Sequence, residues 1–343
     1  MNTETPKLTG KQLILATKVF AHENRRRSWF ELFTTSFFFL AAVAGTIWGH
    51  FLLLRLGCSV LLGLLMMRMF IIYHDYQHHT ILQKSTFARW TMNLFGLYIL
   101  APASIWKRSH DYHHQNNSKL FSASIGSYPI ATRKKFASMN AKERLAYLGI
   151  RHPVFLFFGY VTIFIIGMCG ASFGSTPRKH WDSLVALLLH LAYSVLIFAL
   201  FGPLGWLLTV VIPFLITGAL GAYLFYAQHN FPGVIFNSNE DWTYEKAAMA
   251  SSSYMKMGPV MQWFSGNIGY HHIHHLNARI PFYRLPEAYA GIRELQNAKI
   301  TSLRLSDIRA CLRLKIWDPE QQRMISLKEY RGQCATRAAL AVK

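Results

Sequence analysis

Eleven of the sixteen histidines fall in three short clusters and one isolated position, and imidazoles at that density are first of all metal-binding chemistry. The first cluster, HDYQHH, carries His74, His78 and His79. On a helix, His74 and His78 stand one turn apart on one face, the geometry needed to hold a common ion. The second, HDYHH, sets His110, His113 and His114 at i, i+3 and i+4; the third, HHIHH, repeats that step with His271, His274 and His275 and adds His272. Each of these two reads as a tripod of imidazoles. His229, in AQHNF, stands alone, and His190 sits inside an apolar block, where a hydrogen-bonded structural role is the expectation. Three clusters cannot be explained that way, because each buried imidazole left without a partner costs on the order of kcal/mol.

Neutral imidazole suits iron, zinc, copper and nickel alike. Eight to ten imidazoles exceed the four ligands of one zinc ion, yet they serve two metals and leave positions open for oxygen or water. A dinuclear iron centre is the reading that gives such a site redox work. Asp75 and Asp111 each follow the first histidine of their cluster, where a carboxylate can orient a ligand ring from behind; each is equally well placed as a helix-start or solvent-facing acid.

The elements that must carry these clusters are apolar. Phe33 to Tyr73 holds only Arg55 and Arg68 as charges, and Leu184 to Gln228 holds none. Each is about twice the roughly 20 residues that cross a hydrocarbon core. Two helical hairpins are expected, the first turning near Gly49 to Arg55, the second at Gly202-Pro203. Thr91 to Trp106 is too short to span. Val154 to Gly174 is flanked by Arg133, Lys134, Lys135 and Arg151 before it and by Arg178 and Lys179 after it, so it is expected to dip in without crossing. Lys7, Lys11, Lys18 and Arg25 to Arg27 precede the first helix and place the N-terminus in the cytoplasm. The apolar stretch that follows is too long for a cleaved targeting segment. The fold class is therefore all-α: a multi-pass membrane protein with four crossings, every histidine cluster on the cytoplasmic side, and a cytoplasmic helical cap. It divides into an N-terminal segment (1–28), a membrane domain (29–279) and a C-terminal cap (280–343). The formal charge of +20 belongs to the flanks of uncharged blocks, which argues against a nucleic-acid partner. Four widely spaced cysteines form no zinc or disulfide pattern.

These three histidine boxes, in order between apolar blocks, resemble those of the integral-membrane fatty acid desaturases. QWFSGNIGYHHIHHLNARIPFYRL (262–285) and YAQHNFPGVIF (226–236) look most like the acyl-lipid desaturases of the omega-6, delta-12 type. The resemblance covers roughly Arg25 to Asp318. It implies two irons held by His74, His78 or His79, His110, His113, His114, His229, His271, His274 and His275. It implies oxygen as co-substrate and removal of two hydrogens from adjacent methylenes of a fatty acyl lipid. With no His-Pro-Gly-Gly haem motif, the electrons are expected from a separate ferredoxin or a cytochrome of the b5 type. A fatty acyl hydroxylase or carotenoid oxygenase of the same superfamily would keep the metal site and redirect the oxidant. A membrane metal transporter is the reading from another class, against which the clusters stand at helix ends and on one side. The bacterial cytoplasmic membrane is the expected location, the endoplasmic reticulum the alternative.

Overall fold

The computed structural model describes residues 8–120, 127–238 and 240–341, with side chains to residue 336. Two long helices, α1 (Arg25–Trp48) and α2 (Leu52–Gln77), form an antiparallel pair whose turn is only residues 49–51, tighter than expected. Asn24 starts α1 by accepting from the Arg27 N–H, and Arg55, inside α2, reaches back to the Thr46 carbonyl. α2 is the central element: Leu62, Leu65, Met66 and Ile72 are fully buried. Arg68, also buried on α2, is met by the Glu31 carboxylate at 2.5 Å, by Thr35, and by the Trp263 carbonyl and ring. That knot ties α1, α2 and the approach to the third histidine cluster together.

Short helices α3 (Thr86–Tyr98) and α4 (Ala103–Asn116) follow. The apolar segment α5 (Tyr160–Ser175) is wound over most of its length with i→i+5 hydrogen bonds. The segments that lead into it and out of it are fastened to the histidine-bearing end of the bundle. Arg151 donates to Pro129 and to Asn230, the neighbour of His229, while His180 and Asp182 hold Ser104 at the start of α4. Its deep end, Tyr160, packs against Gly218.

The second hairpin comprises α6 (Trp181–Trp206) and α7 (Ile212–Ala227). Its bend is Gly202, at φ +67, a conformation that costs glycine nothing, with Pro203 restarting the helix. α1, α2 and the α6–α7 stretch are long and apolar enough to cross a membrane. Phe33, Phe37 and Leu40 on α1 and Leu188, Leu191 and Val195 on α6 remain exposed, a surface suited to hydrocarbon and not to water.

The fold is mostly helical, but the expectation of a purely helical cap needs correction. Strands β1 (Ala131–Thr132), β4 (Leu314–Asp318) and β5 (Arg323–Ser326) make one sheet in the order β1-β4-β5, with β1 parallel and β5 antiparallel to β4. β2 (Tyr254–Lys256) and β3 (Ile300–Ser302) pair in parallel. Residues Ile316, Trp317 and Ile325 are buried in the first sheet, so its pairing is closed by apolar packing.

Candidate metal centre

Each histidine cluster sits at a helix end for a local reason. α2 stops at Gln77, with His78 as its cap and His79 turned to φ +57. α4 begins behind Pro102 and ends with its histidine face buried. The helix of the third cluster, α8 (His271–Leu276), follows a turn in which Gly266 takes φ +50; a Cβ there would lie 2.7 Å from Ile71 of α2. Glycine therefore lets the third cluster come down onto α2.

The rings converge into two groups. His74, His78, His110, His114 and His274 form one and His113, His229, His271 and His275 the other; within each, one nitrogen per ring lies within 4.8 Å of all the others. In the first, Nε2 atoms meet at 3.0 Å (His74 with His110), 3.1 Å (His110 with His114) and 3.0 Å (His114 with His274). In the second, Nε2 atoms meet at 2.8 Å (His229 with His271), 3.0 Å (His113 with His229) and 3.1 Å (His271 with His275). The tripods expected of the second and third clusters do not stay together. Residues i and i+4 join one group and i+3 the other, so His113 parts from His110 and His114, and His274 from His271 and His275. The two groups touch where the His114 and His275 rings stack, centroids 4.3 Å apart.

Hydrogen bonding behind the rings fixes what they offer. His229 Nδ1 faces the Ser251 carbonyl at 3.0 Å and His74 Nδ1 faces the Asp75 carboxylate at 3.0 Å; both are acceptors, so Nδ1 carries the hydrogen and Nε2 presents a lone pair. Asp75 is itself held by the Phe282 N–H at 2.7 Å. His78 Nε2 is buried with no hydrogen-bond partner among the described residues. Burial, reinforced by neighbouring imidazoles, holds His110, His113, His114, His271, His274 and His275 well below the ordinary histidine pKa, and burial puts His229 at about 4. Converging neutral rings with inward lone pairs cannot satisfy one another as hydrogen bonders, and they match what metal ions require.

Two expected site residues lie elsewhere. His79 is exposed and bonded to Gln83, because the helix ends before it and the left-handed turn swings it outward. Asp111 pairs with Lys107 on a partly exposed face. His272 bonds the Leu295 carbonyl, and His190 bonds the Tyr160 hydroxyl. Sequence reasoning missed Trp106, which stacks on His110 at 4.6 Å, and Ser127, 2.6 Å from His113 Nδ1. The i, i+4 step from Trp106 to His110 is a legible signal; nothing in the sequence marks Ser127.

A cavity of about 630 Å³ opens onto both groups, touching His74 and His110 of the first and His271 of the second. The rest of its wall is mainly apolar, including Met67 and Phe70 of α2, Phe164 and Met168 of α5, and Leu224 and Phe225 of α7. Its size is that of pockets that enclose an organic ligand.

Residues 51–304 match the sequence profile of the fatty acid desaturases. The chain is 30% identical over 331 residues to a fatty acid desaturase of Bacillus subtilis, covering 96% of this chain and 94% of that one. It is 24% identical to an sn-1 acyl-lipid omega-3 desaturase (ferredoxin) of a Nostoc species, over 67% of this chain and 65% of that protein. It is 23% identical to an sn-1 oleoyl-lipid 12-desaturase of Anabaena variabilis, over 66% of this chain and 65% of that protein. With the family profile spanning most of its length and its histidines gathered around an apolar cavity, the chain belongs to the fatty acid desaturase family.

Proposed function

We propose that the protein is an oxygen-dependent desaturase that introduces a cis double bond into the acyl chain of a membrane lipid, at a position of the omega-6, delta-12 type. The observation that carries this reading is the apolar cavity whose wall includes rings from both histidine groups. An apolar chain has no polar handle to desolvate there, so the cavity selects it by burial and holds its methylenes against the imidazoles. His74, His78, His110, His114 and His274 would hold one iron, and His113, His229, His271 and His275 the other. With dioxygen, bound iron supplies an oxidant strong enough for an unactivated C–H bond. The balance is two hydrogens from adjacent carbons, two external electrons and two protons, against one dioxygen reduced to two waters. The electrons come from a separate carrier of the ferredoxin kind, as in the names of related proteins, or of the cytochrome b5 kind.

The protein's own part is position and dryness. Asp75 and the Ser251 carbonyl set the tautomers of His74 and His229, and Trp106 backs His110. In the same reading α1, α2, α6 and α7 cross the membrane and α5 does not, since Arg151 before it and His180 and Asp182 after it are both tied to the histidine side; residues 280–343 then cap the cytoplasmic face.

The test is expression in a host without polyunsaturated lipids, beside a His110→Ala, His274→Ala double variant, with fatty acids profiled by mass spectrometry. A new double bond absent from the double variant is the expected result and gives its position. An oxygenated lipid in its place turns the reading to a hydroxylase.

A further inference from the structure

Beyond the main cavity, deeper in the bundle, lies a small apolar void of about 20 Å³ bounded by Tyr160, Phe214, Thr217 and Gly218. It shares Met67, Phe70, Phe164 and Gly221 with the main cavity, so these four residues stand where the two adjoin, at the position of a neck. Gly221 lies on α7 eight residues before His229, about 12 Å along the helix. A Cβ built on it meets nothing within 4 Å, unlike one on Gly218, which would collide with Tyr160. The absent side chain of Gly221 therefore leaves the neck open, whereas that of Gly218 serves close packing. The far wall is fixed in place: the Tyr160 hydroxyl lies 2.5 Å from His190 Nε2, and both rings pack on Phe214 with centroids 5.2 and 4.7 Å away.

We propose that Gly221 and Tyr160 determine the longest acyl chain this protein accepts, Gly221 by keeping the neck open and Tyr160 by closing the end that receives the methyl terminus. The inference rests on the acyl-chain reading of the cavity. A methylene that fits a pocket or fails to fit it changes specificity by roughly tenfold or more, so a side chain in the neck acts on chain length before it acts on chemistry.

The experiment supplies saturated chains from fourteen to twenty carbons to cells expressing the full-length protein with its electron donor. Product yields are compared among wild type, Gly221→Leu, Tyr160→Ala and Tyr160→Phe at equal protein level. Gly221→Leu, entering open space, is expected to lower yield from the longest accepted chain at least about tenfold relative to chains two or more carbons shorter. Tyr160→Ala is expected to shift the limit upward, and Tyr160→Phe, which keeps the ring, to leave it in place. Purified proteins are tested in parallel for thermal stabilisation by free fatty acids of the same lengths. The length beyond which stabilisation ceases should move in the same two directions. Unchanged limits in both alanine and leucine variants, or limits that move together, overturn the proposal. A wild type that binds chains with these limits but forms no double bond overturns the desaturase reading and leaves the chain-length inference standing.

Discussion

At the scale of single residues, adjacent side chains with the same chemistry have been given opposite tasks. His78 caps a helix and points a partnerless nitrogen into the first group, while His79 is turned out to Gln83. His78→Ala should cost more than the roughly 100-fold that marks loss of an outer ligand contact, and iron analysis should find the first site depleted; His79→Ala should retain wild-type iron and turnover. Asp75 and Asp111 divide the same way. Asp75→Asn should lower iron affinity or turnover about 10–100-fold, because the amide offers one acceptor oxygen to two donors, His74 Nδ1–H and the Phe282 N–H, and Asp111→Asn should do neither. Spacing could not separate these pairs. Both aspartates follow a first histidine, and only the arrival of Phe282 from a segment some 200 residues away buries one of them.

At the scale of elements, the hairpins and their bends at residues 49–51 and Gly202 were legible because long uncharged runs leave few alternatives. The strands were not. β1 has two residues and β2 three, too short for any alternation to register, and their partners lie far away in sequence. The splitting of the histidine tripods was hidden for another reason: i, i+3 and i+4 share a face, but only the position of the opposing helices decides which ring meets which. The link between α1 and α2 can be tested directly. Glu31→Gln leaves Arg68 buried without its countercharge and should lower the stability of the detergent-solubilised protein by about 3–5 kcal/mol; Glu31→Leu combined with Arg68→Met should recover most of that loss.

For the molecule as a whole, the proposed topology puts nearly all polar mass on one side of the bilayer. Cys334 is exposed in the C-terminal helix, whereas Cys169 and Cys311 are buried. In a Cys58→Ser background, which removes the half-buried thiol on α2, a membrane-impermeant thiol reagent should therefore label Cys334 in inverted vesicles and leave sealed right-side-out vesicles unlabelled. Labelling in right-side-out vesicles would place the histidine face on the other side.

The two histidine groups share their scaffolding. His113 and His114 are neighbours in sequence and serve different groups, as do His274 and His275, and the His114 and His275 rings lie face to face between them. In the two-iron reading, a ring pulled into place on one side fixes the backbone that carries its neighbour on the other, so a first ion would do part of the ordering that a second would otherwise require. Titration of the iron-free protein with ferrous ion should then be sigmoidal, with molecules holding none or two and few holding one. Such a protein would not pass through a half-assembled state able to consume oxygen without a second iron to complete the reaction.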